Sequence, residues 1–163
     1  MGIAEKYDST SGHYDQRYRE IQFAKYKMAL SFFDGVGGDI LDVGCGTGLL
    51  AEFLGRKIWG IDISKGMLRM SGDRMNYVHG DATDLPFDDL SFDHVFSFTV
   101  LQNIADYKTA LLEIKRVMRR DGKCALTFLN KDKFKAIGDE IEKNFMVRDS
   151  FAYSEDVFYI CSI

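Results

Sequence analysis

The stretch that decides the fold is ILDVGCGTG at residues 40–48, where four residues of strand character precede glycines at alternate positions, Gly44, Gly46 and Gly48. A short apolar run of this kind is typical of a strand in a parallel sheet, because such strands are covered on both faces. Glycine directly after the strand lets the backbone approach a ligand, since it lacks a Cβ and tolerates positive φ. The stretch therefore predicts a nucleotide-type cradle between a first strand and the helix that follows it, with the first amides of that helix facing the ligand.

The spacing of the glycines separates this stretch from two other nucleotide-binding loops. A dinucleotide fingerprint reads GxGxxG, whereas this chain reads GxGxG and has Leu49 where the third glycine of that fingerprint falls. A Walker-type loop needs a lysine after its last glycine, and none follows Gly48. The carboxylate of Asp42 would also repel a pyrophosphate. It favours a ligand that is cationic at that point, such as an ammonium or a sulfonium.

Strand-like and helix-like segments alternate through most of the chain. β-branched or aromatic runs lie at residues 39–43, 57–63, 76–79, 92–98 and 123–129, and helical stretches at 49–54, 65–70 and 107–120. The pair Asp121-Gly122 is expected to end the last of these helices, with the glycine in a left-handed cap. A helix over about 131–144 and two strands joined by a short turn at 152–156 are expected to complete the chain as an antiparallel hairpin.

This order of segments predicts an α/β fold: a Rossmann-like, doubly wound sheet of seven strands, mainly parallel, with a C-terminal antiparallel hairpin strand. We expect a single domain over residues 1–163, with an N-terminal cap segment and helix over 1–35 and the core over 36–163. The helix of the cap is predicted over 17–33. Its apolar face is expected to include Ile21, Tyr26, Met28, Ala29, Leu30 and Phe33.

Composition and charge narrow the classes of function. The 163 residues are 46% hydrophobic and carry a net charge of −4, which argues against a protein that coats nucleic acid. Residues 113–148 nevertheless hold ten Lys/Arg and six Asp/Glu, a local charge of +4 that favours a solvated helix face and leaves an RNA substrate open. Because the sequence has neither a membrane-length apolar run nor the apolar core of a signal peptide, we expect a cytoplasmic protein without membrane contact.

The three cysteines are far apart in the sequence. Cys45, Cys124 and Cys161 form no C-x-x-C pair, so neither a metal site nor a disulfide framework is predicted. Cys124 and Cys161 are expected to be small buried residues in a reducing compartment.

Acids at the ends of the next two strands extend the predicted site. Asp62 follows Asp42 by 20 residues, the separation at which an acid on the second strand reaches ribose hydroxyls. Asp81 follows the third strand and is suited to accept from an exocyclic amine of a base. It is equally suited to a turn, where aspartate is common for its own reasons.

Together these motifs resemble the class I S-adenosylmethionine-dependent methyltransferases, in particular the group called methyltransferase type 11. The matching stretches are ILDVGCGTG, IDISKGML, GDATDLPF, SFDHVFSFTVLQNI and EIKRVMRRDGKCALTF, in the family's order over residues 39–129. The resemblance implies a methyltransferase with S-adenosylmethionine as cofactor and S-adenosylhomocysteine as product.

The resemblance also implies a role for each matching residue near the methionine end of the cofactor. The glycines of 44–48 would surround the methionine moiety, with Asp42 near its ammonium group and Cys45 contributing backbone rather than sulfur chemistry. Phe98 and Thr99, at the end of the fourth strand, would border the transferring methyl group.

The nucleoside end and the cap complete this set. Asp62 would bind both ribose hydroxyls, Ile63 would lie against the adenine face, and Asp81 and Ala82 would lie at the adenine edge. An N-terminal tyrosine often closes over the cofactor in this family, and Tyr14 is the candidate here.

Methyl transfer from a sulfonium needs alignment and exclusion of water more than acid–base chemistry. If a base is used, His13 beside Tyr14 is the candidate catalytic residue. His79 and His94 lie in or at the end of predicted strands, which favours structural roles.

The acceptor is less constrained than the cofactor. The segment SFTVLQN after the fourth strand contains no proline, unlike the NPPY-like turn of enzymes that methylate exocyclic base or glutamine amides. The chain also lacks the Pro-Cys pair of pyrimidine-C5 methylation. We therefore expect transfer to an O, N, S or C nucleophile of a small molecule. Two alternatives stay open: an RNA or protein methyltransferase with an open site, and a non-catalytic S-adenosylmethionine-binding subunit. The oligomeric state also stays open.

Overall fold

The computed structural model describes residues 19–163, and within them seven strands form one mixed sheet flanked by helices. The strands are β1 (Ile40–Val43), β2 (Trp59–Asp62), β3 (Asn76–His79), β4 (Phe92–Ser97), β5 (Met118–Leu129), β6 (Met146–Tyr153) and β7 (Asp156–Ser162). The α-helices are α1 (19–30 in the described part), α2 (Leu49–Leu54), α3 (Lys65–Ser71), α4 (Tyr107–Val117) and α5 (Lys135–Asn144).

The strand order is β3-β2-β1-β4-β5-β7-β6. Strands β1 to β5 pair in parallel, whereas β7 is antiparallel to both β5 and β6. This confirms the predicted doubly wound, mainly parallel sheet with its antiparallel C-terminal hairpin. Because β1 pairs with β2 on one side and with β4 on the other, the ligand crevice is expected beyond the carboxyl ends of β1 and β4.

Two apolar layers cover the two faces of the sheet. Neighbouring residues of one strand enter different layers, as Ile40 and Leu41 of β1 do, because successive side chains of a strand point to opposite faces. Helices α4 and α5 belong to the layer of Leu41, and α1 and α2 to that of Ile40. Both faces are therefore covered, which explains the nearly continuous apolar character of the central strands.

Helix α1 buries most of the apolar face that the sequence predicts, together with two polar residues that the prediction did not include. Its buried positions are Gln22, Lys25, Tyr26, Ala29 and, just beyond its end, Phe33. The predicted helix is present, but Ile21, assigned to its apolar face, is 48% exposed. The assignment was wrong there because two buried positions are polar and an apolar pattern does not include them.

Helix α4 ends three residues before the predicted end, at Val117. Met118 already pairs with Phe92 of β4. The neighbouring Arg119 forms an ion pair with Asp93 of the same strand. These two contacts to β4 place residues 118–120 in β5 rather than in a last helical turn.

The predicted left-handed cap at Gly122 is also wrong, since Gly122 lies inside β5 and its φ is outside the left-handed region. A Cβ at this position would lie 2.7 Å from the carbonyl oxygen of Arg119. Glycine is needed here because the backbone passes close to itself. The last helix, expected from residue 131, begins at Lys135 after a 3₁₀ turn over Asp132–Phe134.

Between residues 19 and 163, no helix combines the length and the apolar character required to cross a bilayer. All three cysteines are buried free thiols, as predicted for Cys124 and Cys161.

Candidate functional site

The loop after β1 has the backbone conformation that its glycines allow. The φ angles of Gly44, Gly46 and Gly48 are 77°, 55° and 83°, in the region that disfavours other residues. A Cβ at Gly44 would overlap the side chain of Val100. The amide of Gly44 also donates to the carbonyl oxygen of Ile61 at 2.8 Å. The loop is therefore tied to β2 on one side and packed against the segment after β4 on the other.

Gly48 has a separate task, since it is the N-cap residue of α2 in the left-handed conformation. Helix α2 has only six residues, and its start borders a minor cavity at Thr47 and Leu49 rather than the main one. That the first amides of this helix face the ligand stays a prediction.

Asp62 at the end of β2 faces the glycine loop. Its Oδ2 accepts from the amide of Gly46 and its Oδ1 from the amide of Ser64, each at 2.8 Å. These two hydrogen bonds orient the Asp62 side chain. The backbone thus fixes the direction in which Asp62 presents its oxygens.

A cavity of about 390 Å³ opens at the carboxyl ends of β1 to β4. This volume lies within the range of roughly 300–1,000 Å³ found for small-molecule sites. Eight of the predicted cofactor-binding residues line it: Gly44, Gly46, Asp62, Ile63, Asp81, Ala82, Phe98 and Thr99. Part of its wall is the segment 98–106, which leads from β4 to α4.

A second cavity of about 20 Å³ adjoins the first and shares Gly44, Gly46 and Phe98 with it. Asp42 and Cys45 line this smaller cavity. Ten of the twelve predicted cofactor-binding residues therefore line one of these two adjoining cavities. Gly48 lines neither cavity and is the N-cap residue of α2. The twelfth, Tyr14, and the catalytic candidate His13 lie outside the described residues.

The electrostatics of Asp42 favour a cation beside it. Asp42 is 4% exposed. Burial, together with the charge of Asp62, raises the pKa of its carboxyl group to about 8. At neutral pH this carboxyl group is therefore mostly protonated, and a cation placed next to it would favour the ionised form.

A family model described as a methyltransferase domain matches residues 41–126. The chain belongs to this methyltransferase family. A Methanocaldococcus jannaschii protein named as uncharacterized is 35% identical over 133 residues, which cover 80% of this chain and 53% of that protein. Demethylmenaquinone methyltransferase of Staphylococcus epidermidis is 35% identical over 133 residues, covering 71% of this chain and 55% of the relative. This chain thus spans about half the length of both curated relatives.

Solved structures share the fold over nearly the whole chain. The PH0226 protein of Pyrococcus horikoshii OT3 has a TM-score of 0.80 at 17% identity, covering 90% of this chain and 91% of that one. A complex between the Haloferax volcanii Trm112 methyltransferase activator and the putative methyltransferase also gives 0.80, at 18% identity and 96% coverage of both chains. The methyltransferase family and fold imply S-adenosylmethionine as the cofactor.

Several polar residues at the crevice were not indicated by the sequence, among them Asn103 and Asp106 in the main cavity and Gln22 in the smaller one. Gln22 of α1 lines the smaller cavity with Asp42. Its Oε1 is buried and accepts no hydrogen bond from the described part of the chain. The available signal was its spacing, since Gln22 lies three and four residues before the buried Lys25 and Tyr26.

Three other residues named in the sequence analysis have local hydrogen bonds. Oδ1 of Asp81 accepts from the amide and the hydroxyl of Thr83, each at 2.9 Å, so Asp81 both shapes its turn and lines the cavity. His79 Nε2 lies 3.1 Å from the carbonyl oxygen of Ile63. His94 Nδ1 lies 3.0 Å from that of Gly37, and burial lowers its pKa. Neither histidine lines the main cavity, which fits the structural roles predicted for both.

Much of the basic segment 113–148 is held by contacts within the chain. Arg116 forms ion pairs with Glu113 and Asp89, and Arg119 pairs with Asp39 and Asp93. Lys123 and Lys143 also form ion pairs, and Lys115 and Arg148 donate hydrogen bonds within the chain. These contacts brace α4, α5 and the sheet, and they favour the predicted solvated face over a phosphate-binding one.

Proposed function

We propose that this chain transfers the methyl group of S-adenosylmethionine to an oxygen, nitrogen, sulfur or carbon nucleophile of a small molecule, by in-line displacement. The observation that carries the proposal is that two carboxyl groups and the glycine loop line the same two adjoining cavities. Asp42 is buried, and its pKa is raised to about 8. Asp62 is oriented by two backbone amides, that of Gly46 in the loop and that of Ser64.

The residues present fit the cofactor. Asp62 would accept from the ribose hydroxyls, while Ile63 and Ala82 would border the base. Asp42 would face the ammonium group, because a cation beside it favours the ionised form of its carboxyl group. Gln22 would join Asp42 there, since its unpartnered oxygen requires a donor.

When bound, S-adenosylmethionine supplies an activated methyl group on a positively charged sulfur. The chain's own contribution is to orient the two reactants and to exclude water from between them. Phe98, Thr99 and Val100 line the cavity at the end of β4 and would form the wall beside the reacting groups. Alignment of this kind captures several kcal/mol of a barrier, of the order of 7–11 in favourable cases, without an acid or a base.

Three features support a small-molecule acceptor. The cavity is lined by the carboxylates of Asp62, Asp81 and Asp106, and no lysine or arginine of the described residues lines it, which disfavours a polyanion such as RNA. Six of the ten Lys/Arg of the segment 113–148 have ion pairs or hydrogen bonds within the chain. The methyl acceptor in the name of the staphylococcal relatives, demethylmenaquinone, is a small molecule.

A partner-dependent role is the second candidate, and one observation favours it. The Haloferax volcanii neighbour is described in complex with a methyltransferase activator, and its matched chain has 96% coverage by this one. In that case the chain would bind the cofactor without a partner, but it would transfer methyl groups only when a partner protein is present.

The test combines calorimetry with a transfer assay. Wild type is titrated with S-adenosylhomocysteine and then incubated with methyl-labelled S-adenosylmethionine against pooled metabolites and, separately, bulk RNA. Asp62→Ala should weaken binding about a hundredfold, because two charge-assisted hydrogen bonds are lost. Asp73→Ala, which removes an exposed aspartate from the turn after α3, is the matched control and should bind as wild type does.

Label in the metabolite pool supports the proposal, and label only in RNA selects the RNA alternative. Binding without transfer to either acceptor favours the partner-dependent role. An Asp62→Ala variant that folds and binds as tightly as wild type contradicts the assignment of the site.

A further inference from the structure

A buried ion pair lies beside the cavity, between two elements that are distant in the sequence. Lys25 Nζ of α1 is 2.9 Å from Oδ2 of Asp156 at the start of β7, and the two side chains are 5% and 0% exposed. Neither residue lines the cavity. Burying both charges is unfavourable unless the geometry is good and further hydrogen bonds satisfy them, so the partners of this pair indicate its role.

The same carboxylate oxygen gathers two hydroxyl groups. Thr99 Oγ1 donates to Asp156 Oδ2 at 2.5 Å, and Thr127 Oγ1 donates to it at 2.9 Å. Lys25 Nζ also donates to Thr99 Oγ1, at 3.0 Å. Thr127 Oγ1 in turn accepts from the amide of Thr99, at 2.8 Å. The network therefore holds Thr99 by both its side chain and its backbone.

Thr99 has a conformation that needs such support. Its φ is +59°, in the left-handed region that a β-branched residue rarely occupies. Residues in this region persist only where their surroundings over-determine them, and they cluster at functional sites. Thr99 lines the main cavity, and the next residue, Val100, fills the space left by the absent Cβ of Gly44.

We propose that Lys25 and Asp156 are positioning residues, whose ion pair holds Thr99 in the left-handed conformation. The segment 98–106 thereby forms the cavity wall and packs Val100 on the glycine loop. The network also carries a desolvation cost, because Asp156 Oδ1 is buried and accepts no hydrogen bond from the described residues. Two experiments test this proposal. The first measures the conformation of Thr99 and rests on the fold alone, and the second measures cofactor affinity and rests on the proposed function.

The conformational arm measures the φ of Thr99 directly. The three-bond coupling between its amide and α protons is recorded by NMR in wild type, Lys25→Met and Lys27→Met, on the full chain without cofactor. Lys27 is exposed on the same helix and serves as the matched control. We expect the Thr99 coupling and its carbon shifts to leave their left-handed values in Lys25→Met alone. Unchanged values in a folded Lys25→Met protein would overturn the proposal.

The affinity arm uses glycine to remove the need for support, because glycine adopts positive φ without strain. We expect Lys25→Met and Thr99→Val each to weaken S-adenosylhomocysteine binding at least about tenfold. Thr99→Gly removes that need, and its own affinity is the reference for the double variant. Adding Lys25→Met to Thr99→Gly should then change affinity by less than about twofold. Equal losses in the threonine and glycine backgrounds would show that Lys25 acts by another route.

Thr99→Val leaves the ion pair in place, so it carries both arms if Lys25→Met does not fold. Failure of the proposed function would appear as a wild-type protein that ignores S-adenosylhomocysteine. Failure of this proposal would appear as a wild-type protein that binds S-adenosylhomocysteine, together with Lys25→Met and Thr99→Val variants in which residue 99 keeps its left-handed conformation.

Discussion

Replacing Asp42 by asparagine removes a buried carboxyl group while keeping its size. Burial and the charge of Asp62 raise the pKa of this group from 3.8 to about 8. Between these values the native state keeps a proton that the unfolded chain has released, so the wild type loses stability as the pH rises. Asp42→Asn has no such group, and its stability relative to wild type should increase over the same interval.

The size of the effect follows from the difference between the two pKa values. One pKa unit corresponds to about 1.4 kcal/mol, so the wild type should lose about 3 kcal/mol relative to the variant between pH 5 and pH 7. This is a large part of the roughly 5–15 kcal/mol by which domains are stable. Groups that titrate in both proteins cancel in the comparison.

Urea unfolding followed by circular dichroism at pH 5, 6 and 7 measures this difference. Asp73→Asn, at an exposed position, is the control and should follow the wild-type profile. If the Asp42→Asn and wild-type profiles run parallel, Asp42 is ionised in the native protein at pH 5 and the account of its environment is wrong.

The same reasoning sets the pH dependence of cofactor binding. An ammonium group beside Asp42 favours its ionised form, so binding below pH 8 releases the proton that burial retains. Wild-type affinity for S-adenosylhomocysteine should rise by up to about tenfold per pH unit from pH 5 to pH 7. Asp42→Asn should bind more weakly with a flat profile. Equal slopes in the two proteins would separate Asp42 from the ligand's cation.

Two glycine positions give further predictions. A Cβ at Gly44 would overlap Val100, so Gly44→Ala should weaken S-adenosylhomocysteine binding, measured by calorimetry, at least about tenfold. The double variant Gly44→Ala/Val100→Ala should recover part of this loss. If it recovers none, the overlap is not the cause. A Cβ at Gly138 of α5 would overlap the hydroxyl of Tyr159. Gly138→Ala should therefore lower the free energy of unfolding, measured in urea, by about 1–3 kcal/mol. At an open helix position the same substitution would raise it by about 1 kcal/mol. Tyr159→Phe should relieve most of that loss, and a stabilised Gly138→Ala protein would contradict the packing.

The sequence predicted the sheet and most of the crevice because these depend on local patterns. Apolar strands, glycines at fixed spacing and acids at strand ends are each readable over a few residues, and they placed Asp42, Asp62 and Asp81 correctly at one edge of the sheet. The end of α4 was not readable in this way. It depends on the pairing of Met118 with Phe92, 26 residues away, which no local signal records.

The polar face of α1 escaped prediction for a related reason. A lysine in a helix is expected to face water. Lys25 is instead buried, and it donates a hydrogen bond to Asp156, which lies 131 residues further along the chain. The conformation of Thr99 is equally hidden, since its hydrogen-bond partners Thr127 and Asp156 lie 28 and 57 residues further along the chain. Contacts between distant segments thus account for the part of the site that the sequence did not indicate.

The position of α1 connects both ends of the crevice. Gln22 borders the smaller cavity with Asp42, and Lys25, one helical turn later, holds Thr99 at the wall of the larger one. Since residues three apart lie on one face of a helix, a shift of α1 relative to the sheet displaces both contacts together. In the proposed function the glycine loop would fix where the cofactor lies, whereas α1 and the segment 98–106 would define the space beside it. Selection among methyl acceptors should therefore respond to changes in α1 more than to changes in the loop.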